Sequence, residues 1–90
     1  MSQVVNNQAE SRYEMPVDGH VAILVYRRDG TVLHLVHTEV PPQLEGRGLA
    51  SRLVQGALDD IRAKGETIVP RCSYVTAWLQ RHPAYRDLIA

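Results

Sequence analysis

Hydrophobic and polar positions follow two different periods along the chain, and the change falls at Pro41-Pro42. Before it, runs of apolar and β-branched residues alternate with polar ones, as is typical of strands. We predict strands over residues 11–17, 20–26 and 31–40. Asp-Gly pairs lie between them and favour tight turns, so we expect an antiparallel three-stranded meander.

The third predicted strand alternates strictly, so its side chains fall into two sets on opposite faces. One set is Val32, His34, Val36, Thr38 and Val40. His37 belongs to the other set, together with Leu33 and Leu35. Strict alternation therefore favours a half-buried histidine at position 37, and this is the structural alternative to a chemical role for that residue.

Beyond Pro41-Pro42, which end the strand because proline has no N–H to donate, apolar residues recur every three or four positions. We predict an amphipathic helix over residues 46–64, ended by Gly65. Its apolar stripe is Leu49, Ala50, Leu53, Val54, Ala57, Leu58 and Ile61.

The carboxyl-terminal part predicts a short buried strand over 67–69, a helix over 73–81 that Ser73 caps, and a last helical turn within 84–90. The first ten residues show little periodicity and are interpreted as a frayed end or a weak edge strand. Strands followed by a strand–helix–strand–helix unit make an α+β domain, with helices packed on a mixed sheet.

Composition limits the class of protein. Ninety residues with 44% hydrophobic content suit one domain, residues 1–90. The formal net charge is zero, which argues against nucleic acid as a partner, and no apolar run reaches membrane-spanning length. Cys72 is the single cysteine, so an internal disulfide is excluded and a cytoplasmic location is expected.

The turn Gln43-Leu44-Glu45-Gly46-Arg47-Gly48 precedes the long helix and has the chemistry of an anion site. Free amides and the dipole at a helix start favour negative charge, glycines admit a phosphate close to the backbone, and Arg47 adds a guanidinium. A triphosphate loop is excluded because Leu49 follows Gly48 instead of lysine. A dinucleotide fingerprint fits poorly, since Glu66 precedes the next strand instead of ending it. A turn that only joins strand to helix is the structural alternative.

Gln43-x-x-Gly46-x-Gly48 resembles the acyl-CoA signature of the GNAT N-acetyltransferase superfamily. The resemblance implies a minimal GNAT fold that takes acetyl-CoA and moves its acetyl group to an amine. It also implies that the turn binds the pyrophosphate and that the preceding strand pairs with pantetheine. The cofactor-binding residues so implied are Thr38, Glu39, Val40, Gln43, Gly46, Arg47, Gly48, Leu49 and Ala50.

Nearly the whole chain after Arg12 is similar to the small, single-domain GNAT-like group of the N-acetyltransferase domain-containing type. That similarity implies Cys72 and His37 as catalytic residues, with Tyr74 donating a proton to the departing CoA thiolate. Cys72 takes the acetyl group as a thioester with His37 as base, or both line a site for direct transfer. The structural alternatives are a small buried cysteine, a half-buried histidine and a core tyrosine.

The acceptor side is reduced, because the helical segment that walls the acceptor cleft in ordinary GNAT domains is missing. The acceptor, a small molecule or a protein amine, stays unidentified, and a monomer and a homodimer are both open. No metal is expected, since the histidines and Cys72 lack ligand spacing. The alternative function is a CoA-binding or protein-interaction module without significant turnover.

Overall fold

A computed structural model describes residues 3–90 as a five-stranded sheet with two α-helices. The strands are β1 (Val5–Asn7), β2 (Arg12–Val17), β3 (His20–Asp29), β4 (Val32–Glu39) and β5 (Thr67–Pro70). The helices are α1 (Leu49–Ala63) and α2 (Ser73–Arg81). Short 3-10 segments lie at Gln8–Glu10, Pro42–Leu44 and Pro83–Leu88. Among these residues, no helix has the length and apolar character needed to cross a membrane.

The sheet order follows the chain, β1-β2-β3-β4-β5. The first three pairs are antiparallel, and β4 pairs with β5 in parallel because α1 crosses between them. The expected α+β class with a mixed sheet and packed helices is confirmed. The strand predicted over residues 20–26 is three residues too short, because β3 continues to the turn at Gly30.

The alternation predicted for β4 is wrong beyond Leu35. Tyr26 lies opposite Leu35 while Val25 lies opposite His37, so Val36 is an extra residue, a β-bulge. The bulge reverses the faces of the sheet for all following residues. Leu33 and Leu35 are fully buried, and beyond the bulge the partly buried positions are Thr38 and Val40.

The long helix α1 is shorter than predicted because the glycine-rich turn is not helical; Gly48 is its N-cap. Its stripe packs on β2 and β3 with six side chains below 5% exposed: Leu49, Leu53, Val54, Ala57, Leu58 and Ile61. The Tyr13 hydroxyl donates to Asp60 at 2.7 Å and ties the helix to the sheet. Gly65 follows the helix with a left-handed backbone, φ 70°, as predicted.

The second helix packs beside α1. The buried Trp78 donates its indole N–H to Ser51 Oγ at 2.8 Å, and His82 stacks on the Trp78 ring with centroids 3.8 Å apart. After the predicted last helical turn, found at Pro83–Leu88, the chain returns to the sheet, where the Ala90 amide donates to the Ile68 carbonyl. Together α1, α2 and the sheet enclose the core.

The amino-terminal segment forms a short edge strand at β1 and a 3-10 turn at Gln8–Glu10. It also crosses α1 at Gly56, where an added Cβ would lie 2.5 Å from a Val4 methyl carbon. Only glycine leaves room for this crossing. Met1 and Ser2, the rest of the segment predicted to fray or to form a weak strand, lie outside the described residues.

Candidate functional site

The predicted site lies where β4 and β5 part. Their pairing ends at Leu35 opposite Pro70, but β4 continues to Glu39. The amides of Arg71 and Cys72 both donate to the Leu35 carbonyl at 2.9 Å and close this end of the pair. Beyond it, the β5 side of β4 has no strand partner, so its backbone groups are open to a ligand.

A cavity of about 360 Å³ occupies the gap between this part of β4, the glycine-rich turn and α2. It connects the residues predicted for pantetheine to those predicted for pyrophosphate. The lining residues are Thr38, Val40, Leu44, Glu45, Gly46, Gly48, Leu49, Ala50 and Tyr74. We call this cavity the β4–α1 cleft.

The start of α1 forms one end of the β4–α1 cleft and is built to receive an anion. Gly46 and Gly48 both have positive φ, 79° and 70°, which costs little only for glycine. No side chain caps the helix and its first turn holds no acid. The first amides of α1 therefore have no side-chain acceptor, and Gly48, Leu49 and Ala50 line the cleft, so this end has the chemistry of an anion site.

Three residues predicted for the cofactor stand apart from the cleft lining. Arg47 forms an ion pair with Asp18 at 2.9 Å, toward the turn between β2 and β3. Gln43 is exposed on the turn. Glu39 points to the outer face of β4, where one carboxylate oxygen lies 3.4 Å from His37 Nε2.

Cys72 is not among the residues that line the β4–α1 cleft, but it contacts one of them, Thr38. It is the N-cap of α2, the place that the sequence assigned to Ser73. Its Sγ lies 3.4 Å from Thr38 Oγ1. Burial alone would raise the pKa of the Cys72 thiol. The Thr38 hydroxyl and the amides of Val75 and Tyr74 outweigh burial and hold this pKa below its ordinary value. The thiolate is the nucleophilic form, so this position suits nucleophilic chemistry.

The two other predicted catalytic residues have different surroundings. Tyr74 is half-buried and lines the cleft two residues beyond Cys72. The His37 side chain is 59% exposed, with Glu39 as its hydrogen-bonding neighbour. Because successive strand residues point to opposite faces, His37 and Thr38 diverge, and it is Thr38 that reaches Cys72. The half-buried histidine that strict alternation predicts is therefore wrong.

Sequence reasoning missed two lining residues, Leu44 and Glu45, and the contact between Thr38 and Cys72. Leu44 is 1% exposed, and the signal was available: it is the one apolar residue between Pro42 and Gly48. The Thr38–Cys72 contact joins positions 34 residues apart and left no local signal.

A second cavity, of about 510 Å³, lies between the amino-terminal segment and the middle of α1. Its lining residues are Gln3, Val4, Met15, Arg52, Gln55, Gly56 and Asp59. This cavity is larger than the β4–α1 cleft. However, it faces the middle turns of α1, where the backbone amides already donate to carbonyl groups of the preceding turn. The Asp59 carboxylate also opposes an anion, so we do not assign the phosphate site here.

Comparison with a solved structure identifies the fold. The chain superimposes on a GCN5-like protein from Staphylococcus aureus, solved by NMR, with a TM-score of 0.74 over 98% of this chain and 87% of that one. The two are 22% identical, so the likeness shows a shared GNAT fold.

The sequence itself narrows the class. Residues 12–88 match the family model of the GCN5-related N-acetyltransferases, and the chain belongs to that family. Protein NATD1 of Gallus gallus is 29% identical over 84 residues, 90% of this chain and 76% of that protein. Protein NATD1 of Mus musculus and of Homo sapiens are each 33% identical over 63 residues, 69% of this chain but only 57% and 56% of their own lengths.

Proposed function

We propose that the protein is an acetyl-CoA-dependent N-acyltransferase whose acetyl group passes through a thioester on Cys72 to an amine. Membership of the family supports acyl transfer from CoA in general. The observation that carries the finer proposal is the β4–α1 cleft, which has an uncapped helix start at one end and the Thr38–Cys72 contact at the other.

The acyl donor is a substrate, and each part of the cleft has a role toward it. The amides at the start of α1 hold the pyrophosphate, and the unpaired edge of β4 around Thr38 and Val40 accepts the pantetheine amides. The side chain of Leu49 is 4% exposed and shapes the floor of the cleft.

In the first step the Cys72 thiolate attacks the acetyl carbonyl carbon. A bond forms from Sγ to that carbon, the bond from carbon to the CoA sulfur breaks, and CoA leaves as a thiolate that takes a proton from the Tyr74 hydroxyl. The lowered pKa of Cys72 increases the fraction of the residue that is present as thiolate.

In the second step the acceptor amine attacks the thioester carbon, the bond from that carbon to Sγ breaks, and Cys72 leaves as the thiolate. The amine loses a proton to a base, and this proton returns to Tyr74 through solvent. We propose that base to be His37, whose Nε2 lies 3.4 Å from the Glu39 carboxylate on the exposed side of β4. The free thiol that this route needs suits the reducing conditions of the cytoplasm, the proposed location.

One observation favours the alternative function, a CoA-binding or protein-interaction module without significant turnover. Within residues 3–90, no histidine is hydrogen-bonded to Cys72, and His37 lies on the other face of β4 from Thr38. A cofactor held in the cleft would then find a thiol but no base beside it.

Intact-protein mass spectrometry after incubation with acetyl-CoA tests the proposal. The wild type is expected to gain the mass of one acetyl group, and a panel of amines is expected to remove it with release of CoA. Cys72→Ala should gain none while binding CoA as before; Ser73→Ala, the adjacent exposed position, is the control. If Cys72→Ala acetylates amines at the wild-type rate, the acetyl group is transferred directly and the thioester route is wrong. If the wild type binds CoA but forms no adduct and acetylates no amine, the alternative function, a binding module without significant turnover, is supported instead.

A further inference from the structure

Among residues 3–90, Thr38 is the one cleft-lining residue whose side chain hydrogen-bonds the Cys72 sulfur. Its Oγ1 lies 3.4 Å from Sγ, and the residue is half-buried on the helix-covered face of β4. A strand threonine near a helix can satisfy its hydroxyl on a nearby backbone group. Here its hydrogen-bonding neighbour is the thiol instead.

The bulge at Val36 is what brings Thr38 to this place. Without the extra residue, the alternation that buries Leu33 and Leu35 would continue to His37 and send Thr38 to the exposed face. Because of the bulge, the side chain beside Cys72 is that of Thr38 and not that of His37. A hydroxyl can donate a hydrogen bond to a thiolate without itself changing charge.

We propose that Thr38 is a positioning residue, whose hydroxyl donates to the Cys72 sulfur and holds it toward the cleft for acyl transfer. The inference rests on the proposed function for its purpose, but the contact itself does not depend on it. The direction of the pKa shift agrees with it, since after the opposing effect of burial the Thr38 hydrogen bond is the largest influence on Cys72. Once Sγ carries an acyl group, its charge is gone and the hydrogen bond weakens, which favours release of the hydroxyl.

Thr76 provides a matched control for Thr38. Its hydroxyl also contacts Cys72, but it donates to the main-chain oxygen at 3.1 Å, one turn along α2. This is ordinary back-bonding within a helix. A Thr→Val substitution therefore removes the same hydroxyl near the same residue at both positions, and only one of the two touches the sulfur.

The test is the pH dependence of Cys72 alkylation by iodoacetamide in wild type, Thr38→Val, Thr38→Ser and Thr76→Val. Thr38→Val should raise the pH midpoint of alkylation by about one unit, because a hydrogen bond to the charged thiolate is lost. Thr38→Ser should restore the wild-type midpoint and Thr76→Val should leave it unchanged. Thr38→Ala serves as the second hydroxyl-free variant if valine disturbs the fold.

Acetyl adduct formation and CoA affinity, measured on the same proteins, separate this inference from the proposed function. A raised midpoint in Thr38→Val with slow adduct formation at saturating acetyl-CoA, whatever the change in CoA affinity, supports both. If the midpoint is raised in Thr38→Val but even the wild type forms no acetyl adduct, Thr38 still acts on the thiol and the thioester route is overturned. Equal midpoints in wild type and both hydroxyl-free variants overturn the positioning role, whatever the adduct shows.

Discussion

The two helix starts at the β4–α1 cleft share one electrostatic property and use it differently. Neither α1 nor α2 has a conventional side-chain cap, and both helix starts carry partial positive charge. At α1 the N-cap is Gly48 in a left-handed conformation, and nothing lies within 4 Å of the place where its Cβ would be. At α2 the N-cap is Cys72, and the amides of Tyr74 and Val75 lower the pKa of its thiol.

The difference teaches how one physical effect would support two parts of the proposed reaction. An open glycine start receives a bulky external anion, whereas a cysteine start stabilises an anion that belongs to the chain. Since Thr38 contacts the sulfur and lines the cleft that reaches Gly48, the two starts face one space. Substitutions at each start should therefore change different measurements.

The largest effect is expected at α1. Gly48→Ala places a methyl group where the phosphate approaches, and CoA affinity should fall at least about tenfold, a loss of about 1.4 kcal/mol. Isothermal titration with CoA measures it. Part of any change is conformational, because alanine at φ 70° costs about 1 kcal/mol of stability.

Gly30→Ala separates these causes. Gly30 has φ 64° and equally open surroundings, but it lies in the turn between β3 and β4. Both variants should lose similar stability in thermal unfolding, while only Gly48→Ala loses CoA affinity. Equal affinities in the two variants would contradict the phosphate site at α1.

An intermediate effect is expected at the start of α2. It concerns the pH dependence of Cys72 alkylation. The hydroxyl and amides around Cys72 lower its pKa, so the thiolate persists to lower pH than in an unfolded chain. Near neutral pH, alkylation of Cys72 by iodoacetamide should be several-fold faster in the folded protein than in urea. The two rates should converge as the pH rises above the pKa of the unfolded thiol. A folded midpoint above the unfolded one would show that burial outweighs the hydrogen bonds.

The smallest effect concerns Arg47, which Asp18 holds beside the α1 start in a half-exposed ion pair. Asp18→Asn removes the partner and the negative charge, so Arg47 becomes available to the phosphate. We expect CoA affinity to rise about two- to threefold at low salt and to approach the wild-type value at high salt, because exposed ion pairs are weak and screened. Arg47→Gln in the same background should cancel the gain; a gain that survives it would assign the effect to Asp18 alone.

Local signals in the sequence were enough for most of the fold. Period-two runs, Asp-Gly turns and the stripe of α1 each depend on neighbouring residues, and the strands and helices they predict are present. The glycine turn was predicted for the same reason, since Gly46 and Gly48 stand beside the helix they precede.

The predictions about the site that were wrong concern features that depend on contacts between residues far apart in the sequence. Strict alternation continues through Val36 in the sequence, and only its pairing with β3 reveals the bulge that turns His37 outward. Ser73 is the usual type of N-cap, but the amides of Arg71 and Cys72 are both held by the Leu35 carbonyl, which keeps Cys72 extended in that position. Arg47 finds Asp18 across 29 positions of the chain.

The most direct test of the central claim is an NMR titration of the ¹⁵N-labelled protein with CoA. The β4–α1 cleft predicts that the largest amide shifts fall on Gly46, Gly48, Leu49 and Ala50, with Thr38 and Tyr74 next. Shifts centred on Arg52, Gln55 and Asp59 would place the ligand in the other cavity, and no shifts at saturating CoA would remove the cofactor site altogether. Either of these results would contradict an anion site at the start of α1.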